Sequence, residues 1–239
     1  MPNFLSHADL TDVGRVRSAN EDYHLIPDVP GHHCYIVCDG MGGHAGGSAA
    51  SRMAASVFAG NLTAGLSNGV SVLNAMDAAI REANAAVYNR ALENLDLKGM
   101  GTTIVALVVD LKGEAFIGYV GDSRIYRYRK GSLKQVTRDD SYVQDLIDRG
   151  ELLEEDREKH PERSRITKAI GIDGNVIPTV ESLGFWMSGD RVLLCSDGLT
   201  GVVSDAELAN EANSPLAQAV EQLIGKALLA GAPDNVTVV

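Results

Sequence analysis

The 239-residue chain carries 21 Lys and Arg against 32 Asp and Glu, a formal charge of −11, and 45% of its residues are hydrophobic. That size and balance suit a folded domain with a full core and exclude a fibre or an extended disordered chain. The acidic excess opposes a nucleic-acid backbone as partner, and the apolar runs are too short to cross a bilayer, so neither nucleic acid nor membrane is expected.

Residues 4–11 read as a first strand, followed by a turn at Asp12-Val13-Gly14. Residues 34–38 form a short apolar strand that stops abruptly at Asp39-Gly40. Two helices are expected next. Ala50, Met53, Ala54, Val57 and Phe58 share one face of the first, and Val72, Met76, Ile80, Ala83 and Val87 share one face of the second. Both are rich in Ala, which favours helix and permits close packing. Residues 102–109, 114–120 and 125–129 read as consecutive strands, with turns at Asp110-Leu111-Lys112-Gly113 and Gly121-Asp122-Ser123. Residues 139–160 are polar and helix-forming with charge on most faces, the pattern of a surface excursion. Strands return at 176–185 and 191–195. Ser214-Pro215 supplies an N-cap and a first-turn proline for a last helix, whose core face is Leu216, Val220, Leu223, Ile224, Ala227 and Leu228. Residues 235–239 form a final strand.

This order lacks the alternation of a doubly wound sheet. It predicts an α+β fold of antiparallel sheets covered by helix pairs. No repeat, low-complexity tract or linker divides the chain, so residues 1–239 are expected to form one domain. Met1-Pro2-Asn3-Phe4 lacks the basic-then-apolar start of a signal peptide. Cys34, Cys38 and Cys195 are an odd set without a disulfide framework and read as buried free thiols. Both features point to a cytoplasmic protein.

One pattern occurs twice: an apolar strand ending in Asp-Gly, at Asp39-Gly40 and at Asp197-Gly198. Each pair is either a plain turn or a ligand site, in which a rigidly held carboxylate and a nearby carbonyl meet a hard cation. Glu21, Asp22, Asp122 and Asp234 sit at similar corners, where a turn or cap is the ordinary role. Gathered together they would repel one another without a cation. Arg17 is either a surface residue or a fork for a phosphate oxygen. The run from Gly40 to Gly47 lacks the Lys-Ser/Thr of a P-loop, and its His44 is either a proton donor or merely exposed. There is neither a serine-nucleophile elbow nor a cysteine-phosphatase loop.

In order along residues 11–239, the chain carries Thr11-Asp12-Val13-Gly14 with Arg17 and Asn20-Glu21-Asp22; Asp39-Gly40-Met41-Gly42-Gly43-His44; Gly101-Thr102-Thr103; Gly121-Asp122-Ser123-Arg124; Ser196-Asp197-Gly198-Leu199; and Asp234-Asn235-Val236-Thr237. This series resembles the metal-dependent protein phosphatases of the PPM (type 2C) family in their bacterial form.

The resemblance implies a sandwich of two antiparallel sheets flanked by helix pairs, with two Mn²⁺ or Mg²⁺ ions at one end. It implies that Asp39 bridges both ions, that Asp197 and Asp234 complete the first, and that the Gly40 carbonyl serves the second. Glu21 and Asp22 hold metal-bound waters, Glu21 being the candidate for direct ligation. Asp122 joins Asp197 at a possible third ion, and Arg17 binds the substrate phosphate. The implied reaction is hydrolysis of phosphoserine or phosphothreonine by direct attack of a metal-bridging hydroxide, with His44 or a metal-bound water returning a proton. Residues 139–171 become a flap beside the site. The implied partners are a phosphorylated protein and a cognate Ser/Thr kinase, with the chain acting as a monomer.

Two departures stand out. The family often has Thr-x-Asp-His-Ser at the flap entrance, where this chain has Thr137-Arg138-Asp139-Asp140-Ser141. The chain also stops at Val239, inside what is usually a longer strand. Two other functions stay open: a metal-binding regulatory module, which the intact set Asp39, Asp197 and Asp234 disfavours, and a small-molecule phosphoesterase.

Overall fold

A computed structural model describes residues 5–239, apart from the side chains of His44, Ala45 and Glu158. The first part of the chain forms β1 (Leu10–Asp12), β2 (Tyr23–Leu25), β3 (Asp28–Val29), β4 (His32–Cys38), β5 (Gly40–Met41), α1 (His44–Ser67) and α2 (Val72–Glu93). There follow β6 (Gly101–Thr102), β7 (Ile104–Asp110), β8 (Glu114–Val120), β9 (Arg124–Arg129), β10 (Ser132–Gln135) and α3 (Tyr142–Asp148). The chain closes with β11 (Thr179–Phe185), β12 (Arg191–Cys195), α4 (Asp197–Thr200), α5 (Asp205–Glu211), α6 (Leu216–Leu229) and β13 (Val236–Val238).

Two large antiparallel sheets result, with β5 and β6 paired as a separate two-stranded ribbon. One runs β11-β8-β7-β4-β2, with β3 also paired to β4, and the other runs β1-β13-β12-β9-β10. The central strands of the first sheet are apolar on both faces because both faces are covered. From β4 and β7, Cys34, Ile36, Ile104, Ala106 and Val108 join Phe58, Met76 and Ile80 of the helices. The alternate residues Tyr35, Val37, Val105, Leu107 and Val109 meet Ile125, Leu194 and Val239 of the second sheet. A two-residue side-chain period thus serves two cores at once. On the outer face of the second sheet, Leu208 of α5 and Val220, Leu223, Ile224 and Ala227 of α6 pack on Tyr126, Cys195 and Val236. The architecture is the expected four-layer α+β sandwich.

The helix faces match the expected spacing. Ala50, Ala54, Phe58, Met76, Ile80, Ala83 and Val87 are buried, while Met53, Val57 and Val72 are partly covered. Several boundaries differ. The first strand starts only at Leu10, because the ladder to β13 runs from Leu10–Val238 to Asp12–Val236; residues 5–9 carry no strand, and Phe4 lies outside the described residues. The strand expected from 176 begins at Thr179. Arg81 takes the Val176 carbonyl, and Pro178 has no N–H to offer a ladder. Ser214 is not the cap of the last helix. Pro215 occupies that place and offers no side-chain cap, and the Ser214 hydroxyl faces Glu211 instead. Asp197 opens the short helix α4 rather than a turn. The stretch expected as a surface excursion begins with buried Asp139, Asp140, Ser141 and Val143, and only α3 and a 3₁₀ turn at Glu154–Lys159 are helical.

Ile36 is fully buried under the helix layer. Ile36→Ala is expected to lower stability by about 2–5 kcal/mol, read from urea unfolding. A loss below about 1 kcal/mol would mean the helices do not depend on this strand face.

Candidate metal centre

The candidate residues come from both sheets. Asp39 follows the last residue of β4, Asp122 lies in the turn between β8 and β9, Asp197 follows β12, and Asp234 precedes β13. Sandwiching the sheets brings these strand ends together at one edge.

The main chain around each carboxylate is fixed by hydrogen bonds. The Asp39 N–H donates to Thr103 Oγ1 at 3.0 Å, and its carbonyl accepts from the Thr102 hydroxyl at 2.8 Å and the Thr103 N–H at 2.9 Å. Thr103 Oγ1 is also 2.7 Å from Ser123 Oγ, which ties Asp39 to the turn carrying Asp122. Both Asp-Gly pairs need glycine because there is no room for a Cβ. One at Gly40 would lie 2.2 Å from the Gly47 carbonyl oxygen and 2.6 Å from that of Glu21, and one at Gly198 would lie 1.9 Å from that of Asn235.

Residues that the sequence reading left without a role hold the acidic loop in place. Asn235 donates through Nδ2 to the carbonyls of Val13 and Ala19, at 2.9 Å each, and accepts the Glu21 N–H at 2.8 Å. Ser51 donates to the Glu21 carbonyl at 2.7 Å. Ser196 and Thr237 both donate to Asp22 Oδ2 at 2.7 Å. The recurring Ser196-Asp197 and Asp234-Asn235-Val236-Thr237 motifs contain three of these partners, so the signal was present but read only for its carboxylates.

Burial and mutual repulsion dominate the electrostatics. Burial pushes the Asp22 carboxyl up to about 7 against the hydrogen bonds from Ser196 and Thr237, and the charges of Asp197 and Asp234 push it the same way. Asp39 is raised well above the usual carboxylate range by burial, then by Asp22, Asp197, Asp122 and Asp234. Asp122 is raised to about 8 by burial and by Asp197 and Asp139. Asp197 is raised by burial and Asp234, offset by a hydrogen bond with Asp39. Arg17 Nη2 donates to Asp234 Oδ2 at 2.7 Å, and that charge raises the guanidinium pKa further.

These features fit a hard cation. The donors are oxygens, and their charges are mutually repulsive. Asp22 Oδ1 is buried without a hydrogen-bond partner. Among the described residues, no three His, Cys, Asp or Glu side chains are grouped closely enough to hold a metal ion by themselves. A cation at this edge would need water or backbone carbonyl ligands as well, the ordinary condition for Mg²⁺. Glu21 is buried with its carboxylate against Gly47 in the first turn of α1. His44 begins α1, but its side chain lies outside the described residues. A cleft of about 60 Å³ borders Asp122 and Asp197, lined also by Arg124, Asp139 and Arg157. A larger cavity, about 590 Å³, is lined by Trp186, Leu193, Leu216 and Val239 and contains none of the candidate residues.

The raised carboxyls set a pH dependence. In the folded protein Asp22 and Asp122 keep protons up to about 7 and 8, whereas an unfolded Asp releases its proton near 4. Asp148 and Glu154, held low by hydrogen bonds from Gln144 and Arg157 respectively, are ionised in both states above about pH 5 and add no slope there. Cation-free protein is therefore expected to lose stability as pH rises from about 5 to about 8, with Mn²⁺ raising Tm most at the upper end. Melting curves in chelator that are flat, or that rise with pH, would contradict this account of the cluster.

Comparison with known proteins agrees with the geometry. The family model described as protein phosphatase 2C matches residues 14–231. The serine/threonine protein phosphatase PstP of Mycobacterium tuberculosis is 38% identical over 236 residues, covering 98% of this chain; the chain spans 44% of that relative's length. The serine/threonine phosphatase stp of Listeria monocytogenes is 36% identical over 238 residues, covering 97% of this chain and 94% of that protein. A crystal structure of the Mycobacterium tuberculosis phosphatase PstP superposes with a TM-score of 0.88 at 38% identity, covering 97% of this chain and 95% of that one. The catalytic domain of PstP in complex with two manganese ions gives 0.83 at 36% identity, covering 97% and 94%. By the family match, the identity to these phosphatases and the shared sandwich, the chain belongs to the protein phosphatase 2C (PPM) family of metal-dependent Ser/Thr phosphatases, in its bacterial form.

Proposed function

We propose that this chain hydrolyses phosphoserine and phosphothreonine esters of proteins at the aspartate-lined edge of the sandwich. The observation that carries this reading is the convergence of Asp22, Asp39, Asp122, Asp197 and Asp234, whose charges repel one another with Arg17 as the cation beside Asp234. Asp39, Asp197 and Asp234 would hold one Mn²⁺ or Mg²⁺ ion. Asp39 and the Gly40 carbonyl would hold a second, and Asp122 with Asp197 a third. Glu21 and Asp22 would accept from waters around them. When bound, such ions lower the pKa of a water and offset charge on phosphoryl oxygens.

The chain's own residues supply position and the remaining charge. Arg17 is half-exposed on the rim and forms an ion pair with Asp234. Its fork leaves donors to orient a phosphate. His44, at the start of α1, is the candidate for returning a proton to the leaving Ser or Thr oxygen. Residues 139–171 form the flap beside the cleft at Asp122 and Asp197, where a protein substrate is distinguished from a small ester. The partners that follow are a phosphorylated protein and the Ser/Thr kinase that made it, with the chain working as a monomeric single domain. Among the described residues no helix is long and apolar enough to cross a membrane. Cys34, Cys38 and Cys195 are buried free thiols, which suits a reducing cytoplasm.

Metal-stripped protein is expected to release phosphate from a phosphothreonine peptide only after Mn²⁺ is restored. Asp39→Asn should reduce that rate by more than about 100-fold, beyond the effect of losing an outer partner of a ligand. Arg17→Ala should raise KM about tenfold through one lost charge-assisted bond. Release that ignores both Mn²⁺ and Asp39→Asn would overturn the proposal, and a strong preference for small phosphate esters over phosphopeptides would redirect it to a small-molecule enzyme.

A further inference from the structure

The residue that departs from the family's flap-entrance pattern, Asp140, is not a surface substitution. It is 4% exposed, and two separate segments meet on it. Its N–H donates to the Gly121 carbonyl at 2.9 Å, and its Oδ2 accepts the Gly121 N–H at 3.1 Å, so both main-chain groups of the residue preceding Asp122 end on Asp140. Its carbonyl accepts the Thr167 N–H at 2.7 Å, and its Oδ1 accepts Lys168 Nζ at 2.8 Å. Thr167 and Lys168 lie where the excursion returns to the sandwich. Ser141 and Ile166 form a bridge beside them, and two residues beyond Lys168 the Ile170 main chain pairs with Thr102. Thr102 in turn holds the Asp39 carbonyl.

A buried carboxylate at this position requires a cation, since an unpaired buried charge is strongly destabilising. Lys168 supplies it from the opposite end of the excursion, half-exposed and with a flexible stem. We infer that the Asp140–Lys168 ion pair is a staple that joins the two ends of residues 141–166 and thereby fixes the turn carrying Asp122. Asp140 and Lys168 are then positioning residues, acting through the Gly121 main chain rather than by touching the substrate. The inference rests on the reading of Asp122 as a cation ligand, but the staple itself does not.

Hydrogen exchange of cation-free protein tests the staple alone. Lys168→Met is expected to speed exchange at residues 121–123 and 141–166 and to leave β4 and β7 unchanged. Lys168→Arg, which keeps the charge, should restore slow exchange. Asp140→Asn retains an acceptor for the Gly121 N–H and should fall between. Unchanged exchange in Lys168→Met overturns the staple. Titration with Mn²⁺, followed by its electron paramagnetic resonance signal, tests the positioning role. Lys168→Met is expected to weaken the loosest Mn²⁺ site about tenfold, the lower range for an outer partner of a ligand, with rescue by Lys168→Arg and loss of the same site in Asp122→Asn. Faster exchange with wild-type Mn²⁺ binding overturns positioning while leaving the staple. Absence of any Mn²⁺ binding by the wild-type protein overturns the reading of the site, and positioning with it, whatever exchange shows.

Discussion

Like-charge repulsion among five aspartates is the constraint around which this molecule is arranged. Asp39 faces the charges of Asp22, Asp122, Asp197 and Asp234 in a partly desolvated setting, where such interactions are stronger than in water. No cluster of this kind forms from a flexible chain. It exists because each carboxylate follows or precedes a strand whose own burial is favourable, and the apolar cores hold the strand ends where they are. Ile36 and Val37 illustrate the division, one packing under the helices and the other between the sheets, while the next two residues deliver Asp39 to the rim. Stability from the hydrophobic layers is thus what keeps mutually repelling groups together, a common trade between site and scaffold.

The polar partners do the finer placing. Asn235 uses both amide hydrogens and an acceptor site of its Oδ1 on the loop that ends in Glu21, and Ser196 and Thr237 close on Asp22 from the opposite sheet. Thr102 and Thr103 hold Asp39 at both its N–H and its carbonyl. Buried and satisfied networks of this sort have one arrangement, so they specify geometry more than they add net stability. The backbone donors and short hydroxyls explain how a site built on five strand and loop ends can be rigid.

The excursion beside the site follows the same logic with charges in place of hydroxyls. Arg124 grips Asp139 with Nε and Nη2, and Arg157 reaches the same carboxylate from the 3₁₀ turn. Next to it, Asp140 meets Lys168. Two adjacent aspartates, each buried and each paired, lie between the excursion and the turn carrying Asp122. The excursion is thereby coupled to the proposed ligand set through its base rather than its tip.

The sequence by itself determined the strands at 34–38, 114–120 and 191–195, the faces of α1 and α2, and the six ordered motifs, because apolar periodicity and Asp-Gly breaks are local properties; the strand expected over 102–109 is split by tertiary pairing, with Gly101–Thr102 joining β5 and Ile104–Asp110 joining the large sheet. Short elements such as β2, β3, β10 and α5 escaped, since two to seven residues exist as strand or helix only when a neighbour supplies the hydrogen bonds or the apolar surface. The same reason moved the start of β1 to Leu10, where β13 offers a partner, and drew Asp139 and Asp140 from an apparent surface excursion into the interior. Position along the chain nominated the aspartates one by one. Only the stacking of two sheets, which places residues 39, 122, 197 and 234 at one edge, decided that their charges act on each other. The sequence showed Ser196, Asn235 and Thr237 as neighbours of acidic residues; tertiary packing made them the groups that hold residues some 170 to 220 positions away, because hydrogen-bond geometry depends on distances in space that no local pattern records.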